Sequence, residues 1–383
     1  MSNLNKKVAE AFLEVATALE TGEFKNKVRV GLTLLGSEHG VEELLAAAEM
    51  ASKDGNFDVC VIGPKVETNL ELFETNCEKE MHEIMEDLLD KDYIQACVTL
   101  HYSFPIGVST VGRVITPATG KEMLIATTTG TSATQRTEAM FKNALYGIST
   151  AKALGIEKPT VGILNVDNAR GVERALKELQ TNGFDLTFGQ SKRADGGNIM
   201  RGNDLLMGAV DVMVTDSLTG NILMKLFSSQ ATGGSYEALG FGYGPGVGFD
   251  FDKNILIISR ASGAPVIANA IRYAAQLAKG NLQKVIKSDF EQAKSAGYNK
   301  IIEGFNKSKA PKAEVKEVEV PKEICTSEIS GIDILDLEDA VMTLKGKGIY
   351  AESGMGCTGP IVMINEKRVE ASTKVLQEAG YIG

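Results

Sequence analysis

The amino-acid sequence predicts an α/β fold: a doubly wound, mostly parallel sheet with helices on both faces, followed by a small C-terminal α/β module. Short runs rich in Val and Ile alternate along the chain with segments of helical periodicity. These short runs are apolar throughout, which is typical of strands that are buried on both faces. The chain has 383 residues, enough for roughly two to three domains with cores of their own.

The elements follow in order along the chain. A helix is predicted over residues 5–20, because apolar residues recur every three or four positions from Val8 to Leu19 and Gly22 follows. Buried strands are predicted at residues 28–35, 58–62, 96–100, 123–127, 160–164, 210–215 and 254–259. Helices are predicted between them at residues 41–53, 133–154, 172–182 and 220–230.

Residues 306–323 interrupt this pattern. Lys, Glu and two prolines dominate them, so we expect a solvated linker instead of a packed element. The module beyond the linker has a predicted helix that starts near Asp336, a strand at residues 361–364, and a final helix capped by Asn365. The predicted division is an N-terminal helix (1–26), an α/β body (27–305), the linker (306–323) and the C-terminal module (324–383).

The charge balance argues against nucleic-acid and membrane partners. The chain carries 40 Lys and Arg against 50 Asp and Glu, and this net charge of −10 repels phosphate backbones and anionic lipid. We found no run of about 18 apolar residues and no signal peptide, so a cytoplasmic location is expected. Five cysteines without close pairs predict no disulfide framework, and the three histidines show no spacing typical of a metal site.

The segment ESGMGCTGP, residues 352–360, offers the clearest chemistry. Its glycines have the Gly-x-Gly-x-x-Gly spacing of a dinucleotide-binding motif. That motif must be followed by a helix, whereas here Pro360 and an apolar strand follow, so we reject it. Glycines around a thiol leave its side chain accessible, and successive N–H groups in such a turn can hold a developing oxyanion. Cys357 is therefore either a nucleophile that forms a thioester or a small residue packed in a tight turn, and the pattern alone leaves both open.

The other cysteines are weaker candidates for a nucleophile. Cys60 and Cys97 lie in predicted strands, so we expect them in the core. Acidic neighbours would raise the pKa of Cys77 and make it a poor nucleophile. Cys325 lies just beyond the linker and is a distant second candidate.

Four polar residues are expected at strand ends or close behind them. His39 and His101 each follow a predicted strand, and ligands of open α/β sheets bind outside the carboxyl ends of the strands. Each histidine could face a cleft or fill a surface or packing role. Lys225 lies two turns into the helix after a strand, and Arg260 directly follows another strand, where a guanidinium can clamp a phosphate or an oxyanion.

Two further segments are rich in hydroxyls or glycines. Residues 127–134 include Thr129, Thr131 and Ser132, and we expect a loop that is either an anion cradle or an ordinary capped helix start. Residues 242–248 precede a strand instead of following one, so we expect a flexible loop and no nucleotide site.

Three stretches resemble a known superfamily. The stretches FKNALYGISTAKALGIEKPTVGIL, VDVMVTDSLTGNILMK and ILIISRAS are similar to phosphate acetyl- and butyryltransferases, and to the phosphate acyltransferase that makes acyl phosphate from acyl carrier protein. The resemblance implies a phosphate acyltransferase-like body. In that superfamily the Asn-x-x-x-Lys helix start and the Ser-Arg pair help bind phosphate and the acyl donor, which implies this role for Asn221, Lys225, Ser259 and Arg260.

A more specific resemblance extends over the whole chain. The motifs VGLTLLGSEHGVEELL, HYSFPIGVSTVGRVITP, RADGGNIMRGNDLL, SQATGGSYEALGFGYGPGVG and ESGMGCTGPIV resemble the alpha subunits of component C of the glycine/sarcosine/betaine reductase complex. Component C of that family receives an acetyl group from the selenoprotein component A, holds it as a cysteine thioester and releases it to phosphate as acetyl phosphate. The resemblance implies that Cys357 is the acetyl carrier, with Gly356, Thr358 and Gly359 around it to steady the oxyanion.

One departure from the phosphate acetyltransferases is informative. They carry an acidic residue shortly after the Ser-Arg pair that assists the thiol of coenzyme A, and residues 261–267 contain no acid. This argues against the hypothesis that the enzyme uses coenzyme A. It fits an enzyme whose own thiol, Cys357, replaces the thiol of the cofactor.

The sequence thus leads to an acyl-transfer subunit with no bound cofactor, no metal, and phosphate as a substrate. The expected partners are the beta subunit of component C and component A, in an oligomeric assembly. Two rivals stay open: a free-standing phosphate acyltransferase that uses coenzyme A or acyl carrier protein, and a non-catalytic scaffold subunit. A dehydrogenase is a weaker third, because no credible dinucleotide site is present.

Overall fold

The computed structural model of the chain describes residues 12–13, 15–16, 19, 27–193, 196–307, 320–332, 336–356 and 359–382. These residues form two compact units. The first unit lies within Met1–Ser103, Ser228–Pro245 and Lys253–Leu282, and the second within Phe104–Phe227, Gly246–Asp252 and Gln283–Gly383.

The strands and helices of the described chain are as follows. The strands are β1 (Arg29–Thr33), β2 (Asp58–Gly63), β3 (Glu71–Glu74), β4 (Ala96–Thr99), β5 (Val108–Ile115), β6 (Glu122–Thr131), β7 (Thr160–Leu164), β8 (Thr187–Phe188), β9 (Ile199–Met200), β10 (Val212–Val214), β11 (Gly244–Val247), β12 (Ile255–Ile257), β13 (Ser327–Ser330), β14 (Ala351–Gly356) and β15 (Gly359–Ile364). The helices are α1 (Val41–Ser52), α2 (Glu78–Asp90), α3 (Arg136–Ala153), α4 (Ala169–Thr181), α5 (Gly202–Met207), α6 (Ser217–Ser229), α7 (Ala264–Lys279), α8 (Leu282–Ser295), α9 (Tyr298–Lys307), α10 (Leu337–Gly346) and α11 (Val369–Glu378).

The first unit is built on a parallel sheet with the strand order β3-β2-β1-β4-β12. Gly244 and Pro245 of β11 pair antiparallel with β12 at its edge. Helix α7 packs against β1 and β4 and against α1, and its apolar residues are almost all buried. Because neighbouring strands run in one direction, the residues that follow β1, β4 and β12 emerge at the same edge of the sheet.

The second unit has a mixed sheet in which Gly246 and Val247 of β11 are followed by β5, β6, β10, β7 and β8. Strands β6, β10, β7 and β8 are parallel, β9 also pairs with β7, and β5 is antiparallel to β6. Helix α3 is buried on nearly every face and lies against β6 and β10. A Cβ at Gly147 of α3 would lie 2.4 Å from a Cγ of Val212, so this glycine permits the close packing of helix and strand.

The C-terminal module has a core of its own. Its antiparallel sheet has the order β13-β15-β14, and α10 and α11 pack on it around buried residues such as Leu344, Val362 and Leu376. Within the second unit, Arg174 of α4 contacts this module through an ion pair with Asp336 at 3.5 Å and a hydrogen bond to the carbonyl of Gly380.

The predicted α/β class is confirmed, and each predicted strand overlaps an observed one. The strand at residues 160–164 has the predicted bounds, and the module helix follows Asp336 as expected. Asn365 caps a short 3₁₀ turn, Glu366–Arg368, that precedes the last helix. The described residues within 5–20 are helical, and most of residues 306–323 lie outside the described chain. The predicted domain bounds therefore stay a prediction.

The prediction of a flexible loop at residues 242–248 was wrong. Gly244–Val247 form the buried strand β11. Glycine and proline have a low strand propensity, so the sequence carried no strand signal, but partners on both sides supply the pairing. The side chain of Phe104 fills the place of a Cβ at Gly246, at 2.3 Å, which explains the glycine there. The sequence analysis also missed β3, β5, β8, β9, β13 and β14. Of these, β8 and β9 have two residues each and show no periodicity.

None of the helices in the described part of the chain combines the length and the apolar character needed to cross a bilayer. The described residues likewise contain no group of His, Cys, Asp or Glu side chains arranged to hold a metal ion.

A pair of glycine substitutions tests the packing of α6 on β6. A Cβ at Gly220 would lie 1.7 Å from the carbonyl oxygen of Thr127, and a backbone atom cannot move away as a flexible side chain can. Gly220→Ala should therefore lower the free energy of unfolding by about 1–3 kcal/mol or more, measured by urea denaturation.

The matched control is Gly304→Ala in α9, where a Cβ would meet no atom within 4 Å. It should raise stability slightly, by about 0.5–1 kcal/mol, because alanine loses less backbone entropy in a helix. Equal effects of the two substitutions would contradict the close approach at Gly220.

Candidate functional site

A cavity of about 240 Å³ lies in the second unit, at the carboxyl ends of β6 and β10. Its walls come from the end of β6, the start of α3 and the first residues after β10, including Thr131, Ser132, Arg136 and Asp216. This is the edge at which open α/β sheets bind ligands.

The predicted hydroxyl loop at residues 127–134 is mostly strand, because β6 continues to Thr131. Thr129 and Thr131 therefore lie on β6, and their hydroxyls make no hydrogen bond with the described residues. Ser132 is buried, and its hydroxyl lies 2.7 Å from Oδ1 of Asn143 and 3.0 Å from the carbonyl of Ala139. Ser132 thus helps to hold the start of α3, which leaves Thr131 as the more accessible hydroxyl of the cavity.

The charge in this cavity is balanced by internal ion pairs. The guanidinium of Arg136 lies 3.1 Å from Oδ2 of Asp216 and 3.4 Å from Oδ2 of Asp167. Burial opposes ionisation of Asp216, but hydrogen bonds from the hydroxyl and N–H of Thr219 and from Arg136 outweigh it and lower its pKa. Arg136 is therefore held in one orientation by carboxylates that also neutralise much of its charge.

Helix α6 carries two of the predicted residues. Nδ2 of Asn221 donates a hydrogen bond to the carbonyl of Thr128 at 3.2 Å, so this amide ties α6 to β6 beside the cavity. Lys225 lies one turn further along and is exposed. The structure thus brings Asn221 together with the backbone of β6.

Arg260 lies in the first unit on a backbone that is fixed from both sides. Its carbonyl accepts a hydrogen bond from the N–H of Glu38 at 3.0 Å. Ser259 is buried, and its hydroxyl accepts from the N–H of Ala261 at 3.2 Å. The Arg260 side chain is exposed, and its guanidinium makes no hydrogen bond or ion pair with the described residues.

The structure brings His39 next to this segment. Its Nε2 lies 3.2 Å from the carbonyl oxygen of Ala261, and its ring packs on Tyr236 with a centroid distance of 5.1 Å. His101, by contrast, is exposed, and its backbone carbonyl accepts a hydrogen bond from the hydroxyl of Thr99 at 3.3 Å. Of the two predicted histidines, His39 is the one that contacts the arginine segment.

The N-terminus of α7, just after Arg260, is already occupied by a carboxylate. Oε1 of Glu43 accepts hydrogen bonds from the hydroxyl of Tyr236 at 2.6 Å and from the N–H of Ala264 at 2.7 Å. These two bonds, in that order, lower the pKa of Glu43 and keep it ionised. The N–H of Ala264 is therefore not available to a second anion.

The described cysteines differ sharply in burial. Burial raises the pKa of Cys60 to about 12 and raises that of the fully buried Cys97 as well. Burial and the nearby Glu352 raise the pKa of Cys325, whose Sγ lies 3.4 Å from the carbonyl of Met363. Cys77 is exposed.

The predicted nucleophile lies outside the described chain. Residues 357 and 358, Cys and Thr, are not among the described residues. The described part of the segment differs from the predicted turn, because Ala351–Gly356 and Gly359–Ile364 are antiparallel strands. Gly356 and Gly359 are paired in register across this hairpin.

Comparisons with known proteins agree with the resemblance seen in the sequence. A family model described as "Fatty acid synthesis protein" matches residues 28–363. The chain is 61% identical, over all of both chains, to the glycine/sarcosine/betaine reductase complex component C subunit alpha of Peptoclostridium acidaminophilum. It is 25% identical over 242 residues to a phosphate acyltransferase of Crocosphaera subtropica, which covers 52% of this chain and 68% of that protein. The full-length resemblance to component C alpha subunits is thereby confirmed.

A solved structure of a branched-chain phosphotransacylase from Enterococcus faecalis V583 is also similar. It has 17% sequence identity and a TM-score of 0.46, and covers 65% of this chain and 99% of that one.

Sequence reasoning missed Arg136, Asp216 and Glu43. A signal existed for Arg136, because it follows the hydroxyl-rich segment at the start of a predicted helix. Glu43 carried no such signal, because its partner Ala264 is 221 positions away.

The Arg136–Asp216 pair gives a pH-dependent prediction. Folding lowers the pKa of Asp216, so the ionised carboxylate stabilises the folded protein. This stabilisation is fully present above the pKa of Asp216 in the unfolded chain, about 3.9, and is lost as the pH falls through the lower pKa of the folded state. Asp216→Asn should reduce the free energy of unfolding by about 1 kcal/mol at neutral pH. The difference from the wild type should narrow as the pH approaches about 3.

Asp167→Asn is the control, because Asp167 is the more exposed and more distant partner of Arg136. Its effect should be small at every pH. If Asp216→Asn lowered the free energy of unfolding by the same amount at every pH, the charge of Asp216 would not be the cause of the effect.

Proposed function

The chain belongs to the family described as "Fatty acid synthesis protein", and on that premise we propose that it is an acyltransferase subunit that forms acetyl phosphate. The observation that carries the proposal is the 61% identity, over the full length of both chains, to a component C alpha subunit of a glycine/sarcosine/betaine reductase complex. In this proposal Cys357 holds, as a thioester, an acetyl group that is derived from the carboxymethyl selenoether of component A. The carbon–selenium bond is cleaved with two electrons and two protons supplied by the partner proteins, the selenol is released, and the carboxyl group loses water as the thioester forms. The chain works beside the beta subunit of component C, in the cytoplasm.

The phosphate step needs no redox chemistry in this chain. An oxygen of orthophosphate attacks the carbonyl carbon of the Cys357 thioester, and the carbon–sulfur bond breaks with its electron pair on sulfur. Acetyl phosphate leaves and the thiolate of Cys357 is restored. We assign the N–H groups of Thr358 and Gly359, next to Gly356, to the oxyanion of the tetrahedral intermediate.

Arg260 suits phosphate better than Arg136 does. Arg136 already has two carboxylate partners, whereas the guanidinium of Arg260 has no partner among the described residues. A guanidinium that keeps its full charge and its free N–H groups can bind phosphate in bidentate fashion. We assign phosphate to Arg260, on the backbone that Ser259 helps to fix. The resemblance implies the same role for Asn221 and Lys225.

The properties of the other thiols favour Cys357 as the acyl carrier. A thiolate is the reactive form, and the raised pKa values of Cys60, Cys97 and Cys325 disfavour it. Cys77 is exposed at the N-terminus of α2 and lies outside the motifs that carry the resemblance. The resemblance assigns the acetyl group to Cys357, which the sequence places among glycines.

A free-standing phosphate acyltransferase is the second candidate, and the 25% identity to such an enzyme over 242 residues favours it. The isolated chain would then turn over acetyl-coenzyme A and phosphate. Glu43 offers no general base for a cofactor thiol, because its pKa is lowered and its carboxylate is bound at the start of α7. A non-catalytic scaffold is the third candidate, and it requires full activity without Cys357.

The first prediction concerns the acyl carrier. Mass spectrometry of the assembled complex, quenched during turnover without phosphate, should locate an acetyl group on the peptide that contains Cys357. Cys357→Ser should abolish acetyl phosphate formation, because an ester oxygen is a much poorer leaving group than a thiolate. Cys325→Ser is the matched control in the same module and should remain active. Full activity of Cys357→Ser would favour the scaffold.

The second prediction concerns phosphate. Arg260→Lys keeps the charge but loses bidentate geometry, so the KM for phosphate should rise about thirtyfold, which corresponds to about 2 kcal/mol. Arsenate should replace phosphate in the wild type and give a product that hydrolyses. Arg272→Lys is the control, because Arg272 lies in the same unit on α7 and pairs with Asp54. An unchanged KM in Arg260→Lys would remove Arg260 from the phosphate site.

A further inference from the structure

Arg260 combines a side chain that has no partner among the described residues with a backbone that is held by hydrogen bonds. Within the first unit, the turn after β1 and the turn after β12 are joined by the hydrogen bond from the N–H of Glu38 to the carbonyl of Arg260. On the other side, the N–H of Glu237 donates to the carbonyl of Ala261 at 3.1 Å, and the N–H of Gly263 donates to the carbonyl of Glu237 at 2.9 Å. The segment that carries the guanidinium is thus held from two directions.

His39 completes this arrangement. Its Nε2 lies 3.2 Å from the carbonyl oxygen of Ala261, which already accepts the N–H of Glu237. A carbonyl oxygen can only accept, so Nε2 must carry a proton and donate. The two donors together satisfy both lone pairs of the Ala261 carbonyl.

The orientation of the His39 ring is itself fixed. The ring packs on Tyr236, whose hydroxyl is bonded to Glu43 at the start of α7. The Tyr236 ring in turn lies where a side chain at position 263 would be, since a Cβ at Gly263 would lie 1.9 Å from the ring. The glycine that follows Arg260-Ala-Ser is therefore what lets Tyr236, and with it His39, reach this segment.

We propose that His39 is a positioning residue for the phosphate clamp: its Nε2–H fixes the carbonyl of Ala261, next to Arg260, and so pre-organises the backbone that carries the guanidinium. This inference rests on the proposed function, in which Arg260 binds phosphate. A backbone that is already ordered before the ligand arrives loses less conformational entropy on binding, so we expect His39 to increase the affinity for phosphate. His39 itself touches neither phosphate nor the acyl group in this proposal.

The test separates the hydrogen bond of His39 from its ring packing. His39→Phe keeps an aromatic ring on Tyr236 but removes the donor, and should raise the KM for phosphate about fivefold in the assembled complex, with kcat within about twofold. His39→Gln places an amide N–H near the position of Nε2 and should restore most of the phosphate affinity. His82→Phe is the matched control, because His82 lies on α2 of the same unit and its Nε2 has no hydrogen-bond partner in the described part of the chain.

Hydrogen exchange supplies a readout that does not depend on activity. In His39→Phe, the amides of Glu237 and Gly263 should exchange faster than in the wild type, while amides in the core of α7 should be unchanged. Melting temperatures of the three variants establish that each one folds.

The possible failures are distinguishable. A wild-type KM for phosphate in folded His39→Phe, with an impaired Arg260→Lys, would overturn the role of His39 and leave the proposed function intact. Equal impairment of His39→Phe and His39→Gln would overturn it too, since the donor would then not matter. If the KM for phosphate is unchanged in Arg260→Lys, the assignment of phosphate to Arg260 in the proposed function is wrong, and so is the role proposed for His39.

Discussion

The contact between Gly220 and the carbonyl of Thr127 sets the distance between α6 and β6, and the cavity of the second unit depends on that distance. With α6 this close, Asn221 reaches the carbonyl of Thr128, and Asp216, at the start of the same helix, reaches Arg136. A side chain larger than hydrogen at position 220 would push the helix away and break both contacts together. The glycine is thus a packing requirement from which the polar geometry follows.

The two arginines at the sheet edges show how internal partners decide the role of a charge. Arg136 is paired with Asp216 and Asp167, so it is suited to ordering the cavity wall. Arg260 has no carboxylate partner among the described residues, and Glu43 is bound to the start of α7 and to Tyr236. The same residue type thus contributes structure in one unit and a candidate ligand contact in the other.

Glu43 also bears on the chemistry that the chain can support. No acid follows the Ser-Arg pair in sequence. In space, the carboxylate of Glu237 accepts from the hydroxyl of Ser262 at 3.0 Å, and the N–H of Ala264 at the start of α7 is bonded to Glu43. Two hydrogen bonds stabilise its ionised form, which makes it a weak base. An acyl transfer that uses the thiol of the protein does not require a base for a cofactor thiol at this place, and this is consistent with the proposed role of Cys357.

The sequence by itself determined the α/β class, the predicted strands and the amphipathic helices, because burial on both faces of a sheet leaves continuous apolar runs that can be read locally. It also placed His39, Asn221 and Arg260 at strand ends or at the helix that follows one. Only the tertiary structure decided that Gly244–Val247 form a strand, that β6 extends to Thr131, and that Glu43 and His39 meet the segment around Arg260. Each of these depends on partners that lie far away in sequence, and no local pattern encodes a hydrogen bond that forms only when distant strands align.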